Sequence, residues 1–149
     1  MTIEKMFNPE SICIIGASET KGKWGFQILS NLISAGYKGD IYPINPKSTE
    51  IFGYKCYKNV LELKGMIDLA VIVVPAPYVA NVLEECGQAD IKNITIITAG
   101  FGEVGNVEEE KLIMSVAKKN GMNVIGPNTF GIICRSSKLN ISLIKTGKL

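Results

Sequence analysis

The sequence of 149 residues contains no histidine. Histidine is the commonest general base in enzymes, the usual partner of serine and cysteine nucleophiles, and the residue that carries phosphate in phosphohistidine intermediates. Its absence therefore removes all three kinds of chemistry from this chain. If a reaction depends on the protein, we expect the groups that carry it to lie on another domain or subunit, and we assign no catalytic residue here.

Paired cysteines, excess charge and long apolar runs are also missing. The four cysteines, Cys13, Cys56, Cys86 and Cys134, form no C-x-x-C pair, which favours free thiols in a reducing compartment over a disulfide framework or a metal site. A net charge of +2 is too small to predict nucleic-acid binding. The longest apolar run, residues 69–76, is far shorter than a membrane span. We expect a soluble, cytoplasmic protein without nucleic-acid, membrane or metal partners.

Short apolar runs recur along the chain and alternate with helical patterns. The candidate strands cover residues 11–15, 40–44, 68–74, 93–98 and 123–125. Most of them are apolar without alternation, as is typical of parallel strands covered on both faces. We therefore predict an α/β fold, a doubly wound parallel sheet of about five strands with helices on both faces.

Helical periodicity predicts three helices between these strands. Trp24 lies on the apolar face of the first helix. Gly87 is placed as the stop of the second helix, and Asn106 with Glu109 resembles a capping box at the start of the third.

The loop after the first strand is the most informative stretch of the sequence. It reads Gly16-Ala17-Ser18-Glu19-Thr20-Lys21-Gly22-Lys23. Glycine lets the backbone turn sharply where a buried strand ends, and the following helix N-terminus offers unpaired N–H groups to a phosphate. The dinucleotide pattern G-x-G-x-x-G would need glycines at 18 and 21, where Ser18 and Lys21 stand. We predict a site for a phosphate-bearing nucleotide other than NAD, formed by Gly16, Ser18, Glu19, Thr20 and Lys21; the alternative is an ordinary turn with solvated lysines.

The loops after the other strands complete the candidate site, because ligands of doubly wound sheets bind outside the carboxyl ends of the strands. Asn45 and Lys47 follow the second strand, where an NAD site would carry an acidic residue, and a lysine suits a phosphate on the ribose. Val74 and Pro75 offer an apolar wall to adenine or pantetheine. The last two loops add Thr98, Ala99, Gly100 and Asn128. Each loop alone could be an ordinary turn, but five in succession favour one binding site.

Six segments together resemble a known family. They are Gly-Ala-Ser at 16–18, Tyr-Pro-Ile-Asn-Pro-Lys at 42–47, Val-Val-Pro-Ala at 73–76, Glu-Glu-Cys-Gly at 84–87, Thr-Ala-Gly-Phe at 98–101 and Val-Ile-Gly-Pro-Asn at 124–128. In this order they resemble the N-terminal CoA-binding domain of the ADP-forming acyl-CoA synthetases and, more distantly, the α subunit of succinyl-CoA synthetase. The resemblance implies a Rossmann-like domain that binds coenzyme A. It places residues 18–21 at the CoA phosphates, Lys47 at a further phosphate, and residues 98–100 at the nucleotide or pantetheine.

The resemblance covers residues 9–133 and departs from the family at two places. Thr129 stands where the family usually has cysteine, and the chain ends at Leu149, near the expected entry to a second domain. We expect a CoA-binding domain over residues 1–133 and a basic tail or linker over 134–149 that leads towards an absent second domain. By the resemblance, the missing ligase domains or subunits carry the phosphohistidine and a nucleotide-grasp site, so that this chain alone would not turn over.

The resulting prediction is the CoA-binding domain of an NDP-forming acyl-CoA synthetase, of the ADP-forming acetate–CoA ligase type. One alternative is a stand-alone CoA-binding or regulatory module. Another is an NADP-binding oxidoreductase domain in which Lys47 holds the 2′-phosphate; the missing glycine pattern disfavours it.

Overall fold

A five-stranded parallel sheet forms the centre of the computed structural model, which describes residues 2–149. In chain order the strands are β1 (Ser11–Ile15), β2 (Asp40–Ile44), β3 (Glu50–Ile51), β4 (Tyr54–Lys55), β5 (Leu69–Ile72), β6 (Asn93–Ile96), β7 (Asn123–Ile125), β8 (Gly131–Cys134) and β9 (Leu139–Ser142). The helices are α1 (Trp24–Ala35), α2 (Ala76–Gln88) and α3 (Val107–Lys119), with 3-10 turns at Ile3–Met6, Val60–Leu63 and Gly102–Val104. The central sheet has the order β2-β1-β5-β6-β7, and every neighbouring pair is parallel. The predicted doubly wound sheet is therefore confirmed.

All five predicted strands form, and three of them have the predicted bounds. The strands β5 and β6 are shorter than expected because their last residues already belong to loops at the carboxyl edge of the sheet. Gly87 does not end α2, which continues to Gln88. A Cβ at Gly87 would collide with the Asn120 side chain, so packing against Asn120 accounts for glycine at this position. The predicted capping box is wrong: the Asn106 side chain donates to the Gly100 carbonyl oxygen over 2.8 Å instead of capping α3.

Both faces of the central sheet are buried. Along β1, Ile12 and Ile14 pack with α1 and with β8 and β9, whereas Cys13 and Ile15 pack with α2 and α3. All four side chains are buried. Because each face has its own helical cover, the strands need apolar residues at every position, which explains the absence of alternation in the sequence.

The C-terminal part of the chain packs into the folded unit. The strands β8 and β9 form an antiparallel hairpin, and β9 lies against α1. Leu139 and Ile141 are fully buried, and the Asn31 side chain of α1 donates to the Ser142 carbonyl oxygen over 2.8 Å. We expected a polar tail from residue 134, but the chain stays in the core through Ser142 because β9 completes the cover over α1.

A smaller hairpin, β3–β4, belongs to a segment that leaves the edge of the sheet after β2 and returns to it. We call residues 45–57 the edge loop. Tyr57 closes its base: its N–H donates to the Pro43 carbonyl oxygen, and its carbonyl accepts from the Asn45 N–H, both over 2.9 Å. At the tip, Phe52 and Gly53 adopt φ values of 51° and 79°, the conformation of a tight hairpin turn.

Replacing Leu139 by alanine tests whether the C-terminal hairpin belongs to the cooperative core. Because Leu139 is fully buried, we expect L139A to lower the free energy of unfolding by about 2–5 kcal/mol. Ile133 lies on the same hairpin but is 43% exposed, so I133A should cost less than about 1 kcal/mol. Urea unfolding followed by circular dichroism measures both variants. Equal, small losses would show that the hairpin is not part of the core.

Candidate functional site

A cavity of about 680 Å³ opens at the carboxyl edge of the central sheet. Its walls are the segments that follow β1, β2, β5 and β6. Strand order reverses between β1 and β5, since β2 lies beyond β1 and β6 lies beyond β5. Ligands of doubly wound sheets bind in the crevice at such a reversal, and the volume is typical of small-molecule sites.

The structure brings eight of the thirteen predicted site residues together in this cavity. They are Gly16, Ser18, Asn45, Lys47, Val74, Pro75, Thr98 and Ala99. The other five lie outside its lining. Glu19, Thr20 and Lys21 are exposed, because the loop leaves the cavity after Ser18 and returns to it only at Lys23.

The remaining two predicted residues, Gly100 and Asn128, lie elsewhere at the carboxyl edge of the sheet. Glu103 accepts hydrogen bonds from the N–H groups of Gly100 and Phe101, and this contact, chiefly with Gly100, lowers the pKa of Glu103. The Gly100 N–H is therefore engaged within its own loop. Asn128 lies beside a separate cleft of about 170 Å³ that shares Trp24 with the cavity.

Seven further residues that were not among the thirteen predicted site residues also line the cavity. They are Ala17, Lys23, Trp24, Gly25, Pro46, Val73 and Ala76. Trp24 was expected in the core, but it is 44% exposed. A signal for this surface was present in the sequence, because Lys23 and Pro75 stand where a helix would ordinarily begin with serine, threonine, aspartate or asparagine.

Two helix N-termini converge on the cavity without any side chain to neutralise them. Trp24 begins α1 and Ala76 begins α2, and both residues line the cavity. Neither helix has a side-chain cap or an acidic residue in its first turn. By contrast, α3 begins with three glutamates, at 108–110, and does not border the cavity. The helix dipole and free N–H groups favour anions at such ends. In α2, Pro77 has no N–H and the Tyr78 N–H donates to the Pro75 carbonyl oxygen over 3.0 Å, which leaves the Ala76 N–H as the donor at this end.

Two lysines add full positive charges to these partial ones. Lys23 and Lys47 both line the cavity, and both side chains are exposed. Ser18 lies deeper and is buried. Its hydroxyl oxygen accepts a hydrogen bond from the Thr20 N–H over 3.0 Å, which leaves the hydroxyl proton free to donate. The arrangement is suited to a ligand with several phosphate groups.

Two glycines allow the end of β1 to lie close to α1 on one side and to the segment after β5 on the other. Gly16 has a φ of 101°, and a Cβ there would lie 3.1 Å from the carbonyl carbon of Val73 and 3.2 Å from the nitrogen of Val74. A Cβ at Gly25 would collide with the Gly16 carbonyl oxygen. A larger residue at Gly25 would therefore move the first turn of α1 away from the end of β1, and one at Gly16 would press on the segment after β5. Either change would alter the cavity.

Side-chain hydrogen bonds connect the cavity walls to one another. Asn45 Nδ2 donates to the Ala17 carbonyl oxygen over 2.9 Å, and Asn45 Oδ1 accepts from the Lys47 N–H at the same distance. Thr98 Oγ1 donates to the Val74 carbonyl oxygen over 2.6 Å. The walls after β1 and β2 are thus joined by Asn45, and those after β5 and β6 by Thr98.

Other chemistry is sparse in the described part of the chain. Within residues 2–149, no cluster of histidine, cysteine or acidic side chains is arranged to hold a metal ion. No cysteine lines the cavity, and burial raises the pKa of the Cys86 thiol to about 12. Over the same residues, no helix has the length and apolar character needed to cross a membrane.

Comparison with known proteins identifies the family. A family model described as a CoA binding domain matches residues 10–135. The chain belongs to the CoA-binding domain family. Subunit alpha of the ADP-forming acetate–CoA ligase I from Pyrococcus furiosus is 46% identical over the full length of this CoA-binding domain, which covers 34% of that subunit. The resemblance predicted from the sequence is therefore confirmed.

A solved structure and a more distant relative agree with this assignment. The dinucleotide forming acetyl-coenzyme A synthetase 1 of Ca. Korarchaeum cryptofilum, in complex with phosphate and ADP, superposes with a TM-score of 0.92 at 44% identity, over 95% of this domain and 31% of that chain. The ADP-forming succinate–CoA ligase subunit alpha 2 from Archaeoglobus fulgidus is 38% identical over 57% of this domain and 29% of that subunit. The domain thus spans about a third of these relatives, and its Rossmann-like fold is confirmed.

Replacing Thr98 by valine tests the link between the β5 and β6 walls. The substitution keeps the side-chain shape but leaves the Val74 carbonyl without its donor, so we expect T98V to lower the free energy of unfolding by about 1 kcal/mol. Thr95 is a matched control: it is buried on β6, and its hydroxyl contacts the Met6 sulfur, a weak acceptor, at 3.7 Å. T95V should cost less. A larger loss for T95V than for T98V in thermal unfolding would contradict the assignment.

Proposed function

We propose that this chain is the CoA-binding part of an ADP-forming acyl-CoA synthetase, and that CoA occupies the cavity between β1 and β5. The observation that supports this most strongly is the pair of uncapped helix N-termini, of α1 and α2, at a single cavity. CoA carries a pyrophosphate and a 3′-phosphate, so its anionic groups suit these two ends and the neighbouring lysines.

The pyrophosphate would lie against the first turn of α1 and the start of the preceding loop. Backbone N–H groups there, together with the Ser18 hydroxyl, would donate to its oxygens. Lys47 is exposed at the start of the edge loop, directly after Pro46, and we assign it to the 3′-phosphate. Backbone donors would contribute more than the lysines, because lysine side chains are flexible and strongly hydrated.

The apolar part of CoA would follow the opposite wall. Val74 and Pro75 offer a flat surface, and Ala99 lines the same cavity. Trp24 lines both the cavity and the cleft that contains Asn128. This supports a path in which the pantetheine arm passes Trp24 and ends near Asn128.

The complete reaction would require further domains. The chain spans about a third of its relatives and has no histidine to carry a phosphoryl group. We propose that the phosphohistidine and the nucleotide-grasp site lie on other ligase domains or subunits, that CoA is a substrate of the assembled enzyme, and that the enzyme works in the cytoplasm.

Calorimetric titration with CoA, dephospho-CoA, NADP and NAD tests the proposal. We expect CoA to bind more tightly than NADP, and NAD to bind least. The variant K47A should weaken CoA by about three- to tenfold while leaving dephospho-CoA unchanged, since a charge-assisted contact at an exposed lysine contributes modestly. The difference should shrink with added salt.

A second lysine provides the control for general electrostatics. Lys21 is exposed in the loop after β1 but does not line the cavity, so K21A should change CoA affinity less than K47A. Equal or tighter binding of NADP by the wild-type chain would contradict the CoA assignment. Equal losses of CoA and dephospho-CoA in K47A would show that Lys47 contacts something other than the 3′-phosphate.

A further inference from the structure

Glu19 belongs to the loop after β1, but its side chain is bonded to the edge loop. A carboxylate oxygen accepts a hydrogen bond from the backbone N–H of Phe52 over 2.6 Å. The Phe52 ring also packs against the ring of Phe26 in α1, with 5.4 Å between the ring centroids. The tip of the edge loop is thus held against the connection between β1 and α1 by one hydrogen bond and one aromatic contact.

The start of the edge loop is bonded to the same connection. The Asn45 side chain donates to the Ala17 carbonyl oxygen over 2.9 Å. Pro46 and Lys47, which line the cavity, lie between this bond and the tip. Two attachments therefore hold the segment that carries Lys47, one formed by Asn45 and the other by Glu19.

We propose that Glu19 is a positioning residue for CoA binding. By accepting the Phe52 N–H, it fixes the tip of the edge loop and so sets where Lys47 stands at the cavity, without contacting the ligand itself. This differs from the role that the family resemblance implied, in which residues 18–21 all touch the phosphates. The inference rests on the proposed function and deepens it.

The negative charge of Glu19 distinguishes a positioning role from simple repulsion of the ligand. A carboxylate near a phosphate site repels the ligand, so an acid without a structural role would weaken CoA binding, and removing it would strengthen binding. If Glu19 positions the edge loop, removing it should weaken binding instead. The two roles therefore predict opposite signs for the same substitution.

The variant E19A separates these roles. We expect it to bind CoA about three- to tenfold more weakly than the wild type, a range that corresponds to the net contribution of one hydrogen bond. Because Lys47 would lose its fixed position, the preference for CoA over dephospho-CoA should fall as well. A general loss of stability would not change that ratio. In E19Q, an amide oxygen replaces the carboxylate acceptor, so most of the affinity should return.

Glu50 supplies the matched control. It is an exposed acid on the same hairpin, and within residues 2–149 its carboxylate forms neither an ion pair nor a hydrogen bond. The variant E50A removes the same charge and should bind CoA at least as tightly as the wild type. Hydrogen exchange of the Phe52 amide, followed by NMR without ligand, should be slow in the wild type and in E50A and fast in E19A.

The outcomes distinguish this inference from the proposed function. Equal or tighter CoA binding by E19A, or an unchanged Phe52 amide exchange rate, would overturn the positioning role while leaving the CoA site in place. Failure of the wild-type chain to bind CoA would overturn the proposed function and this role with it. Weaker CoA binding by E19A, a reduced preference over dephospho-CoA and recovery in E19Q would together support the role.

Discussion

The contact between the first turn of α1 and the end of β1 is the constraint on which the site depends. It is possible only because Gly25 and Gly16 lack side chains, since a Cβ on Gly25 would collide with the Gly16 carbonyl oxygen. A Cβ on Gly16 would also lie 3.1 Å from the carbonyl carbon of Val73, directly after β5. The position of the helix N-terminus is therefore fixed by backbone contacts rather than by long side chains, and the cavity between β1 and β5 takes its shape from them.

The electrostatic character of the cavity follows from how the helices begin. A missing side-chain cap costs a helix about 1 kcal/mol, yet both α1 and α2 lack one where they meet the cavity. The third helix has acidic residues in its first turn and faces elsewhere. The α3 N-terminus also lacks a side-chain cap, but its glutamates offset the helix dipole, so only α1 and α2 begin with neither a cap nor a negative charge, as expected of ends that bind a phosphate.

The parts of the fold that repeat a simple pattern could be predicted from the sequence. Buried parallel strands appear in the sequence as apolar runs. Because the carboxyl ends of parallel strands share one edge of the sheet, the sequence alone places Gly16, Asn45 and Thr98 near one another. The outward turn of Glu19 could not be predicted, because it depends on a hydrogen bond to Phe52, 33 residues further along the chain. The packing of β9 escaped prediction for a similar reason: its polar Asn140 is buried within a local hydrogen-bond network.

The central claim is that the two uncapped helix ends receive the phosphates of CoA, and mapping of amide NMR shifts during a CoA titration tests it most directly. We expect the largest saturable shifts at the amides of Gly25 in α1 and Ala76 in α2. The first turn of α3, at Glu108 and Glu109, should not shift. Saturable CoA binding that leaves the first turns of both α1 and α2 unshifted would contradict the claim.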